Sequence, residues 1–334
     1  MIIKDRNYTP DTQGDESSEL NFGGPIGKHE SPDPFITYDG ERGLYYLLFT
    51  RGREIRIFYS DSLLSLRDSD SVCVYSVERG DGIYGCIWAP EMHFVQGRWY
   101  IYTSGARTAD GREDRTLFIL VSRTENPLDG FDFAAYPDPC LHAIDPTVFT
   151  HNGSLYMCYA REGGGNRINI RKMSSPTEFS GQGVQICQAE LPWETVPPYV
   201  GESTIVEGPF AVKSPDGKRL FIIYSANGCW SDDYAFGVLE LKGSDPMDSA
   251  SWEKDPEILM KKGNGVFGPG HASFFYAPGT KDLCIAYHGM LESNKTVTWA
   301  PRFLFVQRVY FDNTGYPFIE SPRARIPEGD SIVP

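Results

Sequence analysis

Apolar positions along this chain come in short dense runs instead of a helical stripe. Leu44-Tyr45-Tyr46-Leu47-Leu48-Phe49, Trp99-Tyr100-Ile101-Tyr102, Leu155-Tyr156-Met157-Cys158-Tyr159, Leu220-Phe221-Ile222-Ile223-Tyr224 and Leu283-Cys284-Ile285-Ala286-Tyr287 are the clearest. Runs this short, rich in aromatic side chains, suit strands. Each is preceded by a turn pair: Asp39-Gly40, Gln96-Gly97, Asn152-Gly153, Asp216-Gly217 or Pro278-Gly279. Before each turn stands another apolar stretch, such as Phe35-Ile36-Thr37-Tyr38 or Phe210-Ala211-Val212. Strand, Gly turn and strand is the pattern of a hairpin. A further strand-like run follows over residues 55–59, 116–121, 167–170, 236–241 and 303–309. The unit recurs five times at a spacing of roughly 55–65 residues, room for four strands with generous loops. Long amphipathic helices are absent. The pattern predicts an all-β chain, a five-bladed β-propeller in a single domain over residues 21–334. Residues 1–20 are polar and carry no assigned function.

Composition narrows the partners more than the fold. The 334 residues, 40% hydrophobic and 23% charged, describe an ordinary globular chain with a sizeable core. A net charge of −14 argues against nucleic acid or an anionic membrane surface as the main partner. No apolar run approaches the ~20 residues of a membrane helix. The start, Met1-Ile2-Ile3-Lys4-Asp5-Arg6, lacks the apolar stretch of a signal peptide. Seven scattered cysteines without a C-x-x-C pair read as buried free thiols of a reducing compartment. These features predict a cytoplasmic protein, although a secreted one stripped of its signal would read the same.

The repeat also carries chemistry. Asp33, Glu91, Asp145, Glu207 and His271 each stand at the start of a unit's first strand. In a propeller, equivalent positions surround one end of the axis, so these residues are expected to meet there. Carboxylates crowded together cannot all ionise freely, and their pKa values split. Split carboxylates are what hydrolysis of a glycosidic bond requires. Glu207 follows apolar Ile205-Val206 and precedes Gly208-Pro209, a strand-to-turn setting that raises a carboxyl pKa. A β-sandwich, the competing architecture, would not require an ionisable residue at the same point of every unit.

Five segments in order then resemble a known family. They are Ser31-Pro32-Asp33-Pro34, Ile87-Trp88-Ala89-Pro90-Glu91, Ile144-Asp145-Pro146-Thr147-Val148-Phe149, Val206-Glu207-Gly208-Pro209 and Gly268-Pro269-Gly270-His271-Ala272-Ser273-Phe274. Together they resemble glycoside hydrolase family 43, five-bladed arabinofuranosidases and β-xylosidases that invert the anomeric centre. The resemblance implies Asp33 as general base, Glu207 as general acid and Asp145 as the residue tuning Glu207. It matches Arg302 to an arginine that contacts sugar near the acid. It matches His271 to an axial histidine that orients a water cluster or a calcium ion, which leaves room for calcium without requiring any cofactor. Glu91 receives no catalytic role and is read as axial and structural. Phe35 and Trp88 flank the expected pocket, as a sugar platform or as core. His29, His93, His142, His151 and His288 show no metal-ligand spacing.

The segments Tyr234-Ala235-Phe236-Gly237-Val238-Leu239 and Asp248-Ser249-Ala250-Ser251-Trp252 are similar to the arabinofuranosidase branch. The expected partner is therefore a plant cell-wall oligosaccharide: an arabinan, arabinoxylan or xylan fragment. β-Xylosidases of the family usually add a C-terminal β-sandwich, for which this chain ends too soon. Invertase-like enzymes are disfavoured, since their Trp-Met-Asn-Asp-Pro, Arg-Asp-Pro and Glu-Cys motifs are missing. A non-catalytic sugar-binding propeller is the remaining alternative, and it would not need three carboxylates at blade-equivalent positions.

Overall fold

The computed structural model describes residues 24–109, 114–280, 282–297 and 299–324. The polar segment expected over residues 1–20 lies outside the described residues. Blade one consists of β1 (Phe35–Asp39), β2 (Leu44–Leu48), β3 (Glu54–Ser60) and β4 (Ser71–Ser76). Blade two holds β5 (Gly85–Val95), β6 (Arg98–Ala106), β7 (Arg115–Ser122) and β8 (Phe131–Ala135). Blade three holds β9 (Ala143–His151), β10 (Ser154–Arg161), β11 (Arg167–Ser175) and β12 (Glu178–Cys187). In blade four are β13 (Val206–Lys213), β14 (Leu220–Ala226), β15 (Ala235–Leu241) and β16 (Trp252–Lys254). Blade five shows three strands among the described residues, β17 (Phe267–Tyr276), β18 (Leu283–Met290) and β19 (Arg302–Arg308). A small hairpin, β20 (Tyr310–Phe311) with β21 (Pro317–Phe318), follows it. Every blade is an antiparallel meander in chain order.

The double burial of the strands has a simple cause. Side chains alternate between the two faces of a strand, and in a propeller both faces meet a neighbouring blade. Tyr46 and Leu48 enter a core shared with blade two, beside Ile101 and Phe118. Their neighbours Tyr45, Leu47 and Phe49 enter a different core, beside Phe275 and Leu304 of blade five. Three further apolar clusters fill the seams between blades two and three, three and four, and four and five. Five separate seams distinguish this architecture from a sandwich, which has one central core.

The first strands β1, β5, β9, β13 and β17 pack against one another in a closed ring. Blade one meets blade five through Ser273 Oγ, which donates to the Pro34 carbonyl at 3.0 Å and accepts from Ile36 N at 3.1 Å. Ahead of β1, the N–H groups of Ile26 and Ser31 donate to the carbonyls of Leu304 and Arg302 in β19, each at 2.7 Å. That pairing covers the outer edge of the last blade.

The free thiols only partly match expectation. All seven cysteines are unbonded, but three are buried, while Cys73 and Cys140 are exposed and Cys86 and Cys229 are intermediate. Among the described residues, no helix is long and apolar enough to cross a membrane.

Candidate active site

At an equivalent blade position, at or just before its start, each inner strand has a residue in the left-handed region. These are Asp33 (φ 55°), Ala89 (φ 44°), Asp145 (φ 55°), Gly208 (φ 55°) and His271 (φ 54°). Aspartate, asparagine and histidine tolerate this conformation better than most side chains, and glycine adopts it freely. The pairing register shifts at these points in β5, β9, β13 and β17, which is the mark of a β-bulge. A bulge re-aims the side chains around it.

This changes the expected equivalence of the five ionisable residues. Asp33, Asp145 and His271 do occupy the same blade position. The matching residues in the other blades are Ala89 and Gly208, so Glu91 lies two residues past the bulge and Glu207 one residue before it. The motifs share X-Pro at Asp33-Pro34, Ala89-Pro90, Asp145-Pro146 and Gly208-Pro209. Aligning on that proline, instead of on the acids, would have revealed the offset. Glycine is needed at 208 for a second reason: an added Cβ would lie 3.2 Å from the His271 ring.

Three carboxylates nevertheless gather at one end of the axis, all buried or nearly so. Asp33 accepts a 2.6 Å hydrogen bond from Thr50 Oγ1 and pairs with Arg302 Nη1 at 3.2 Å. The Nδ1 atoms of His271 and His288 lie 3.5 and 3.3 Å from Asp33 Oδ1. His288 Nδ1 is also 3.1 Å from the Asp33 backbone N. It either accepts from that N–H or, protonated, donates to the carboxylate. Burial by itself would raise the Asp33 pKa, but Arg302, His271 and His288 outweigh it and hold the carboxyl well below its usual range. Asp33 is built to stay ionised.

Glu207 is treated in the opposite way. Tyr234 Oη donates to its Oε1 at 3.0 Å, and Asn166 Nδ2 donates to its Oε2 at 3.2 Å. Burial is the main cause raising its pKa to about 7, the Asp33 charge adds to it, and Tyr234, Asn166 and Arg302 oppose. Asp145 accepts from the Gly208 N–H at 3.0 Å. Burial, then the charges of Glu207 and Asp33, push Asp145 well above the usual carboxylate range, against the pull of the Gly208 N–H. Asp145 and Glu207 therefore titrate as a pair that retains a proton near neutrality. One ionised carboxylate facing a protonated pair can supply a base and an acid simultaneously.

The remaining expected residues divide. Arg302 stands beside Asp33, with its guanidinium over the Trp299 ring at 5.9 Å and its Nε buried without a partner among the described residues. Phe35 is packed into the seam core between His93 and Phe210, at 5.0 and 6.4 Å, which leaves it little surface for a sugar. Trp88 is half-buried with the Arg115 guanidinium 4.7 Å from its ring centroid. Glu91 is buried on the axis and meets His93 Nε2 at 2.7 Å. Burial lowers the His271 pKa. Among the described residues no group of three or more His, Cys, Asp or Glu side chains is gathered to hold a metal ion. A lone imidazole would leave the rest of a calcium shell to water.

Sequence reasoning missed the partners that set these states: Thr50, Asn166, Tyr234 and His288. His288 shows no ligand spacing, but it directly follows the apolar run that ends at Tyr287, at the site end of β18. Its ring stacks on Tyr234 at 5.6 Å and 6°. Gly270 makes room for that stack, since a Cβ there would fall 1.9 Å from the Tyr234 ring. The stack joins a neighbour of Asp33 to a neighbour of Glu207. No motif spans that connection.

A family model described as glycosyl hydrolases family 43 matches residues 22–317. The extracellular exo-α-(1→5)-L-arabinofuranosidase of Streptomyces avermitilis is 29% identical, over 95% of this chain and 66% of its own length. The α-L-arabinofuranosidase B of Pyricularia oryzae is 27% identical, over 87% of this chain and 61% of its own. This chain thus spans somewhat less than two thirds of either relative. Among solved structures, an α-L-arabinofuranosidase from Lactobacillus brevis superposes with a TM-score of 0.78 at 24% identity, covering 88% of this chain and 95% of that one. That likeness supports the five-bladed fold. With the model match spanning most of the chain, this protein belongs to glycosyl hydrolases family 43.

Proposed function

We propose that this protein is an inverting glycosidase that releases L-arabinofuranose from arabinan or arabinose-decorated oligosaccharides. The observation that carries the reading is the split in protonation: Asp33 held ionised, Glu207 held protonated to about pH 7. In this reading Asp33 removes a proton from water, which attacks the anomeric carbon from the face opposite the departing oxygen. Glu207 donates its proton to that oxygen as the glycosidic bond breaks. Asp145, tied to the Gly208 N–H beside Glu207, titrates together with the acid, so that the pair retains a proton near neutrality. Arg302 neutralises Asp33 in a largely buried site. An inverting pair stands about 6.5–9.5 Å apart to admit the water.

The arabinose specificity is supported by the names of the two relatives, both arabinofuranosidases. Assay of p-nitrophenyl α-L-arabinofuranoside beside the β-D-xyloside tests it. Preference for the arabinoside is expected, and preference for the xyloside would replace the reading with a β-xylosidase. No turnover of either would favour a sugar-binding propeller. The Streptomyces avermitilis relative is named as extracellular, and a polymeric cell-wall substrate favours the same placement here over the cytoplasmic one.

The two pKa directions also set a pH profile. Activity requires Asp33 ionised and the Asp145–Glu207 pair protonated. The acidic limb of kcat/KM then lies below the usual carboxylate range, because Asp33 is lowered. The basic limb falls near pH 7, where Glu207 loses its proton. Above it kcat/KM should drop about tenfold per pH unit. A plateau persisting to pH 9 would remove Glu207 as the acid.

A further inference from the structure

Of six tryptophans, Trp230 and Trp299 are the exposed ones, at 48% and 56%. Both lie at the site end of the propeller. Trp230 is in the loop over 227–234 that joins β14 to β15, and Trp299 precedes β19. A singly exposed aromatic ring is ordinary, and Tyr84, Phe94 and Tyr276 are exposed too; what distinguishes Trp230 is how its loop is held.

The loop bearing Trp230 is fixed from several sides. Asn227, fully buried, donates to the carbonyls of Trp193 and Asp233, each at 2.9 Å, and accepts from Val196 N at 3.2 Å. Asp232, also buried, accepts from Asn294 N at 2.9 Å and from the Ser293 hydroxyl. The Asn294 side chain donates in turn to the Trp230 carbonyl. Tyr199 packs against the indole with ring centroids 6.1 Å apart. Gly228 allows that approach, because a Cβ there would lie 2.4 Å from Tyr199 Oη. The exposed ring is thus pre-organised, which lowers the ordering cost of binding.

Its position relative to the acid is also given. Burial first, then the neighbouring Cys229 and the charge of Glu207, hold up the Tyr199 pKa, while Cys229, raised chiefly by burial, feels Arg302 as well as Glu207 and Asp33. Tyr199, which packs on Trp230, is therefore within electrostatic reach of Glu207. Tyr234, at the far end of the same loop, bonds to Glu207 directly. Trp299, by contrast, covers Arg302 beside Asp33. In an inverting site the acid lies on the side of the departing group and the base on the opposite side.

We propose that Trp230, propped by Tyr199, is the stacking platform for the sugar on the leaving-group side of the bond that Glu207 protonates. A flat indole offers a large apolar area to the C–H face of a sugar ring, and Tyr199 keeps it from turning away. The substrate class this favours is an oligosaccharide with a sugar beyond the cleaved linkage, instead of a small-alcohol glycoside. The inference rests on the arabinofuranosidase reading.

The test compares α-1,5-linked arabinotriose with methyl α-L-arabinofuranoside, whose methyl group is too small to reach the platform. For Trp230→Ala, kcat/KM on arabinotriose should fall about tenfold, mainly through KM. On the methyl glycoside it should stay within about twofold, which also reports an intact fold. Trp230→Phe should recover most of the loss. Equal losses on both sugars, or no loss on either, would overturn the platform while leaving the arabinofuranosidase reading standing. Failure of the unaltered enzyme on both sugars would overturn that reading and this inference with it.

Discussion

Glu207→Gln is expected to lower kcat/KM on arabino-oligosaccharides about 10³-fold, while p-nitrophenyl α-L-arabinofuranoside loses about tenfold or less. The contrast follows from the leaving group. A sugar alkoxide cannot depart without a proton, whereas nitrophenolate can. Glutamine keeps the shape of the side chain, and its amide oxygen still accepts from Tyr234 Oη. Its amide nitrogen would face Asn166 Nδ2, and a flip of the Asn166 amide presents an oxygen instead. The site should therefore persist with its acid removed. Equal losses on both substrates would point to damaged binding, and full activity on the oligosaccharide would remove Glu207 from the mechanism.

Asp33→Asn should cost about 10³-fold or more on both substrates, since a missing base slows water attack whatever group departs. It should also destabilise the fold, for a reason visible in the partners. Arg302 would be left as a nearly buried guanidinium facing a neutral amide. Breaking such a pair costs about 3–5 kcal/mol. A lowered Tm together with leaving-group-independent loss is the expected signature. Loss confined to the oligosaccharide would assign Asp33 to the departing side. An unchanged Tm would mean that Arg302 finds another counter-charge.

The two variants test different kinds of knowledge. Asp33, Asp145 and Glu207 were legible because each stands in a short motif before an apolar strand, repeated at blade spacing. Their protonation states were only half legible. The apolar lead-in Ile205-Val206 pointed to a raised Glu207, but nothing near Asp33 in the chain signals that it is lowered. The groups that lower it, His271, His288 and Arg302, lie more than two hundred residues away in sequence. Tyr234 and Asn166 escaped for the same reason, since each reaches Glu207 from a different strand connection. The offset of Glu207 and Glu91 from the shared blade position escaped because a bulge is a backbone event that motif alignment on acidic residues conceals.

The amino-acid sequence by itself determined the repeat: five hairpin units of short apolar strands, with ionisable residues ahead of the inner strands. Local physics suffices for that, because side-chain alternation and Gly turns act within a few residues. Only the tertiary structure decided which side chains share a site and which of them hold protons. Those properties depend on distances between blades and on exclusion of water, and the electrostatic energies that split the carboxylates arise only once the ring closes. The closing contacts of Ser273 with Pro34 and Ile36, and of His288 and Arg302 with Asp33, are where five local units become one buried carboxylate cluster.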